Sequence, residues 1–97
     1  MPIYITLYQW TDQGIKSVKD APARIEAAIK TAEKTGGKSL GVYLTMGTYD
    51  LVSIYDASSD EEASAFLLAQ GMQGNVRSTT LRAFTKEQFA EIVKKLP

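Results

Sequence analysis

Residues 3–10 read Ile-Tyr-Ile-Thr-Leu-Tyr-Gln-Trp, and this stretch does most to decide the fold. Because β-branched and aromatic residues favour strands, it predicts a first β-strand. Successive strand residues point to opposite faces, so one face carries Ile3, Ile5 and Leu7, and the other carries Tyr4, Tyr8 and Trp10. A strand that is apolar on both faces belongs in the middle of a sheet that is covered on both sides.

The rest of the chain supplies helices and three further strands around this one. The first helix is capped by Asp20 and ends at Gly36-Gly37, and the second is capped by Ser58-Ser59-Asp60. Thr85 with Gln88 begins a short third helix. The further strands cover residues 38–46, 49–57 and 76–84. The order strand-helix-strand-strand-helix-strand is that of the split βαβ motif. The sequence therefore predicts one α+β, ferredoxin-like domain over residues 1–97, with a four-stranded antiparallel sheet in the spatial order 4-1-3-2 and a short C-terminal helix.

The hairpin between the second and third strands leaves their register open. A two-residue loop would place Met46 and Tyr49 on the same face, whereas a three-residue loop would pair Met46 with Asp50. A shift of one residue moves every side chain of a strand to the other face. The sequence does not choose between these alternatives.

Composition excludes several classes of function. Lysine plus arginine equals aspartate plus glutamate, 11 against 11, so the chain lacks the basic excess that drives binding to nucleic acids and to membrane surfaces. The chain contains neither cysteine nor histidine, which removes thiolate chemistry and the commonest ligands of zinc. We expect no metal site and no cofactor. With no signal peptide and no membrane-spanning apolar run in view, we expect a cytoplasmic location.

The apolar second face of the first strand needs a cover. The third strand repeats the pattern, since Leu51 and Tyr55 alternate with Val52 and Ile54. Both helices of this fold lie on one face, so we predict a homo-oligomer in which two sheets pack face to face, with Tyr4, Tyr8 and Trp10 near the contact. Alternatively, the aromatic residues reflect strand propensity and nothing more.

Residues 46–52, Met-Gly-Thr-Tyr-Asp-Leu-Val, resemble the GYD domain family. The similarity extends to Arg24, to Gly36-Gly37 and to residues 75–84, so it covers almost the whole chain. The resemblance implies a ferredoxin-like fold of the dimeric α+β barrel type and implies little about activity. The Gly-x-Tyr-Asp turn also resembles one in the effector domains of leucine-responsive transcription regulators, which bind small ligands between subunits.

Five residues are candidates for binding a small anionic or aromatic ligand: Tyr8, Trp10, Tyr49, Asp50 and Arg82. Tyr49 and Asp50 could offer hydrogen bonds from the turn, although Asp50 could equally accept backbone N–H groups in a structural role. An arginine can hold a carboxylate by two parallel bonds, which makes Arg24, Arg77 and Arg82 candidate anion contacts unless they pair with the chain's own acids.

The function we predict is a small-ligand-binding or assembly module whose site lies between the sheet and a partner subunit. The alternative is a small cofactor-independent enzyme, an oxygenase or isomerase of the dimeric α+β barrel type. A third possibility is an oligomer with a purely structural role. The residues themselves do not decide whether there is any catalysis.

Overall fold

The computed structural model describes all 97 residues, and its elements follow the predicted order. They are β1 (Ile3–Trp10), α1 (Asp12–Lys16), α2 (Ala21–Glu33), β2 (Lys38–Leu44), β3 (Leu51–Asp56), α3 (Asp60–Met72), β4 (Val76–Ala83) and α4 (Lys86–Val93). A 3₁₀ turn at Val18–Asp20 joins α1 to α2. The four strands form one antiparallel sheet in the order β2-β3-β1-β4, which confirms the predicted α+β, ferredoxin-like topology.

The helices begin largely where the capping residues predict. The Ser59 side chain accepts a hydrogen bond from the backbone N–H of Glu62, and Thr85 and Gln88 form a reciprocal capping box at the start of α4. Asp20 precedes α2 as predicted, but its side chain makes no capping bond. None of the helices has the length and apolar character that crossing a bilayer requires.

The hairpin between β2 and β3 is wider than either alternative that the sequence offered. Leu44 pairs with Leu51, so residues 45–50 form the loop, and Gly47 within it has a φ angle of 103° that glycine adopts without strain. Tyr43 pairs with Val52, which is the register of the two-residue alternative. The register then shifts by one residue at a bulge between Ser39 and Gly41.

The core lies between the sheet and its helices, on the face that carries the tyrosines. Tyr4, Tyr8 and Tyr55 are buried there, and Thr6 is fully buried between them. The Thr6 hydroxyl lies 2.9 Å from both the Tyr55 hydroxyl and Thr80 Oγ1. The prediction that Tyr4 and Tyr8 lie near an intersubunit contact is therefore wrong, because the chain's own helices cover them. We call this surface the inner face.

The opposite surface of the sheet is aliphatic, and we call it the outer face. The alternation of β1 and its pairing with β3 place five aliphatic residues on this face: Ile3, Ile5, Leu7, Val52 and Ile54. On the flanking strands Tyr43 and Leu81 join them, 58% and 48% exposed. Neither α2 nor α3 covers the outer face. The need for a cover that the sequence indicates thus remains, but on the central strands it concerns aliphatic side chains instead of aromatic ones.

Candidate functional site

A cavity of about 370 Å³ opens between the inner face and the two long helices. Helix α2 packs over β2 and α3 packs over β4, so the helices sit above opposite edges of the sheet and the cavity lies between them. Its floor includes Tyr8, Ser53 and Tyr55, and its walls include Arg24, Ile25 and Ala28 from α2 with Phe66, Ala69 and Gln70 from α3. The volume lies at the lower end of the roughly 300–1,000 Å³ that small-molecule sites span.

One end of the cavity is apolar and aromatic. The rings of Tyr55 and Phe66 meet there at a centroid distance of 6.2 Å, and Tyr4 stacks on Tyr55 at 5.7 Å. Ala28 and Ala32 of α2 line the facing wall with small side chains. Small residues on the wall and rings on the floor leave space beside an aromatic surface.

The other end, which we call the closed end, includes Trp10, and the short helix α1 follows it directly along the chain. Thr11 Oγ1 donates to the carbonyl of Gly74 at 2.6 Å, and Gln13 Nε2 donates to Asn75 Oδ1 at 3.0 Å. Gly14 packs directly on Asn75, because a Cβ atom at this position would lie 1.9 Å from the Asn75 carbonyl oxygen. These contacts bind α1 to the turn between α3 and β4, so this end has a defined shape.

Polar side chains collect at this closed end. The Tyr8 hydroxyl donates to Gln70 Oε1 at 2.7 Å. Arg24 donates to the carbonyl and the hydroxyl of Ser17, each at 3.3 Å. Arg24 is the one charged side chain in the lining. Glu26 borders a second groove that shares Trp10, Ile25 and Ile29 with the cavity, and Glu26 itself is not part of the cavity lining.

Burial keeps the inner-face tyrosines in their neutral form. It raises the pKa of Tyr8 to about 12, with a further contribution from Tyr55. Burial likewise raises the pKa of Tyr55. The pKa of Tyr4 rises to about 12 because of burial and the hydrogen bond that its hydroxyl donates to Asp60. At neutral pH these hydroxyls serve as hydrogen-bonding groups and not as bases.

The structure brings together two of the five candidate ligand-binding residues, Tyr8 and Trp10, in the lining of the cavity. Asp50 lies just before the start of β3, where its Oδ2 accepts the backbone N–H of Trp10 at 2.9 Å and its own N–H donates to the Tyr8 carbonyl. That is the structural role that the sequence left open for it. Tyr49 belongs to the hairpin loop, where its carbonyl accepts a bond from Thr45 Oγ1 at 2.6 Å.

Arg82 stands apart from the other candidates. It pairs with Tyr4 at the far end of the sheet from Trp10, and its guanidinium lies 4.5 Å from the centroid of the Phe84 ring while donating to the Ala83 carbonyl. Tyr4 and Trp10 are six positions apart along β1, which corresponds to about 20 Å. The structure therefore does not place Arg82 with Tyr8 and Trp10.

Sequence reasoning missed the helical side of the cavity. Gln70 on α3 and Ser53 on the floor carried no motif, and Asn75 entered only as part of the family resemblance over residues 75–84 and not as a candidate for binding. Arg24 was noticed as a candidate anion contact and does line the cavity. No group of three or more acidic side chains that could hold a metal ion occurs in the chain.

Comparison with known proteins places the chain among relatives of the same fold. A curated protein of Thermus thermophilus, named "Glutamine synthetase and cystathionine beta-lyase binding protein", is 29% identical over 84 residues, which cover 86% of this chain and 88% of the relative. A crystal structure of a Thermus thermophilus protein superposes with a TM-score of 0.54 and 22% identity, covering 88% of this chain and 95% of the other, which supports the fold. The family model of the GYD domain matches residues 4–93, and the chain belongs to the GYD domain family.

Proposed function

We propose that this chain is a homo-oligomeric binding module whose copies join through the outer face. The observation that carries the proposal is the row of aliphatic side chains along β1 and β3, chief among them Ile5, Leu7 and Ile54. Antiparallel sheets that face water alternate apolar and polar residues. These two central strands do not, so a second copy of the same face is the natural cover.

The size of the exposed surface supports this proposal. The chain exposes 6819 Å², whereas a monomeric protein of 10.6 kDa is expected to expose about 5,500 Å². The excess of roughly 1,300 Å² exceeds the ~800 Å² that each partner buries in a standard stable interface. The radius of gyration, 14.7 Å, is likewise larger than the ~12.5 Å expected of a compact chain of this length.

Helix α4 is a second unpartnered surface. Its apolar residues remain largely exposed in the single chain: Phe89 at 62%, Ile92 at 40%, Val93 at 45% and, just beyond its end, Leu96 at 66%. The capping box satisfies backbone N–H groups at the start of this helix. In the oligomer, α4 of one copy packs against the other copy, which buries this stripe.

The name of the Thermus thermophilus relative extends the proposal to protein partners. That relative is named for binding glutamine synthetase and cystathionine β-lyase. We infer that this chain also binds other proteins once it is assembled. These two enzymes, prepared from the chain's own host, are the first partners to test by biolayer interferometry; absence of binding to both would remove this extension and leave the assembly proposal standing.

A catalytic role has less support from the cavity. Its lining contains no carboxylate and no lysine, and its tyrosine hydroxyls have pKa values raised above their ordinary value. General bases near neutral pH need a pKa near 7. The enzyme alternative therefore has no observation in its favour.

Light scattering coupled to gel filtration tests the assembly. We expect the wild-type mass to be a multiple of 10.6 kDa. Ile54→Lys places a charge in the middle of the outer face and should reduce the mass to one chain. The matched control is Leu68→Lys, because Leu68 is 70% exposed on α3, away from the outer face, and this variant should keep the wild-type mass. A wild-type mass of one chain would overturn the proposal.

A further inference from the structure

The cavity beneath α2 and α3 has its own chemical character, which does not depend on the outer face. Its lining is mostly apolar, yet it sits at the centre of the domain, where a chain of this size would normally close its core. The inner-face side chains Tyr4, Thr6 and Tyr8 are buried, yet a space of about 370 Å³ remains between this face and the two helices. A half-open apolar cavity with a few convergent polar groups is the usual form of a small-molecule site.

Three polar side chains at the closed end, Arg24, Gln70 and Asn75, keep unused N–H donors. Gln70 uses its amide oxygen to accept the Tyr8 hydroxyl, and Asn75 uses its amide oxygen to accept Gln13. Each side chain thus retains its NH₂ group as a donor. Arg24 donates to Ser17 through one terminal nitrogen, and its other guanidinium N–H groups remain available as donors.

This arrangement complements an acceptor that carries negative charge. The lining holds one positive charge, Arg24, and no carboxylate that would oppose an anion. The guanidinium binds carboxylates by parallel hydrogen bonds, and the two amide NH₂ groups can donate to the same oxygens. The opposite end, with Tyr55, Phe66 and Ala28, suits an apolar body.

We propose that the cavity between the inner face and helices α2 and α3 binds a small carboxylic acid with an apolar or aromatic body. The carboxylate binds at the closed end, to Arg24, Gln70 and Asn75. The body lies on the Tyr55 and Phe66 rings. Each copy of the chain holds a complete site, so the proposal stands whether or not the chain assembles.

Trp10 provides the measurement, because it is the single tryptophan of the chain and lines the cavity. The probe is 3-phenylpropanoate, compared with its neutral amide. We expect saturable change in Trp10 fluorescence with the acid, and affinity for the amide at least about tenfold lower, since hydrogen bonds to charged groups are the stronger ones. No saturable change with the acid up to about 10 mM, or equal affinity for acid and amide, would overturn the proposal.

Three variants locate the probe. Arg24→Gln removes the charge and should weaken binding of 3-phenylpropanoate by about tenfold or more. Lys30→Gln removes a charge from an exposed site on the same helix, outside the lining, and should leave binding within about twofold. Ala28→Phe fills the apolar part of the cavity and should abolish binding, with far-UV circular dichroism reporting the fold.

The variants also define the contrary results. Equal weakening by Arg24→Gln and Lys30→Gln would mean that the net charge acts and not the cavity. Binding that survives in a folded Ala28→Phe variant would place the probe elsewhere on the chain. Should Ala28→Phe fail to fold, Ser53→Leu fills the same space from the floor and carries the same expectation.

Discussion

The inner and outer faces of the sheet carry side chains of different chemistry, and the two sets differ in what covers them. The inner face carries tyrosines and Thr6, and their hydroxyls bond to one another and to α3 through Asp60 and Gln70. The outer face carries isoleucine, leucine and valine, which have no polar atom to satisfy. The hydroxyls of the first face find their partners within the chain, whereas the second face has no cover within the chain and is the surface through which we propose that copies join.

This difference gives a physical reason why the helices of the chain cover the inner face and why we propose that a second copy of the chain covers the outer face. A buried hydroxyl costs free energy unless it finds a partner, and a helix of the same chain can supply that partner at a fixed place. The aliphatic outer face has no such polar group to pair, so its burial against a second copy, as we propose, is favoured by any contact that removes it from water. The polar tips of the tyrosines bond within the chain, and the tyrosines therefore do not mark the face of the sheet that the helices leave uncovered.

The largest expected effects come from Leu7 and Tyr8, which are neighbours on opposite faces of β1. Tyr8→Ala removes a buried ring and should lower the free energy of unfolding by about 3 kcal/mol. Leu7→Lys should instead raise the dissociation constant of the oligomer at least about thirtyfold, as loss of a central interface residue does. Urea unfolding and concentration-dependent light scattering measure the two effects separately.

Each of these variants is the control for the other. Tyr8→Ala should leave the mass in solution unchanged at concentrations where it is folded, and Leu7→Lys should retain the wild-type far-UV spectrum. The same loss of mass in both variants would mean that the two faces are not separate in function.

A smaller effect is expected from Thr6→Val, which keeps the shape of the side chain and removes its hydroxyl. The Tyr55 hydroxyl and Thr80 Oγ1 would both lose a partner that lies at 2.9 Å. Leaving buried polar groups unsatisfied should cost about 2 kcal/mol in the free energy of unfolding. Thermal unfolding checks this value, with Thr79→Val on the exposed outer side of β4 as the control that should change little; an unchanged midpoint for Thr6→Val would show that the inner face does not depend on its hydroxyls.

The smallest expected effect is a loss of stability at high pH that arises from the inner face and not from the outer face. An unfolded tyrosine has a pKa of about 10, whereas the pKa of Tyr8 is about 12 in the folded chain. The neutral form of Tyr8 is thus preferred in the folded state. The contribution of Tyr8 to the free energy of unfolding is therefore complete below about pH 10 and is lost as the pH rises from about 10 towards 12. Tyr8 alone should cost roughly 1 kcal/mol of stability by about pH 11.

Tyr8→Phe tests this pH dependence. The variant should lose about 1 kcal/mol at about pH 7, because Gln70 loses its hydrogen-bond partner. It should then lose less further stability than the wild type between about pH 9 and about pH 11. Urea unfolding at several pH values, with phenolate absorbance as the titration signal, provides the measurement. Identical alkaline losses in both proteins would contradict the assignment to Tyr8.

Much of the fold was predictable because it rests on local chemistry. The Thr85 and Gln88 capping box and the glycines before β2 mark element ends by hydrogen bonding and backbone freedom, which neighbouring residues determine. Less of the site was predictable. Gln70 and Asn75 become part of one cavity because of the path of the chain, and nothing in their neighbouring residues indicates it.

The sequence by itself determined the order of elements, the spatial order of the strands, and the fact that both faces of β1 and β3 are apolar. These features follow from the alternation of side chains along a strand and from local helix caps, and both depend only on residues that are close together in the sequence. Only the tertiary structure decided that the tyrosine face lies under the helices and that these helices stand apart over a cavity. Alternation separates two sets of side chains without saying which set meets the helices. That choice depends on the side to which each crossover returns and on how far apart the two helices pack, and both are properties of contacts between distant residues.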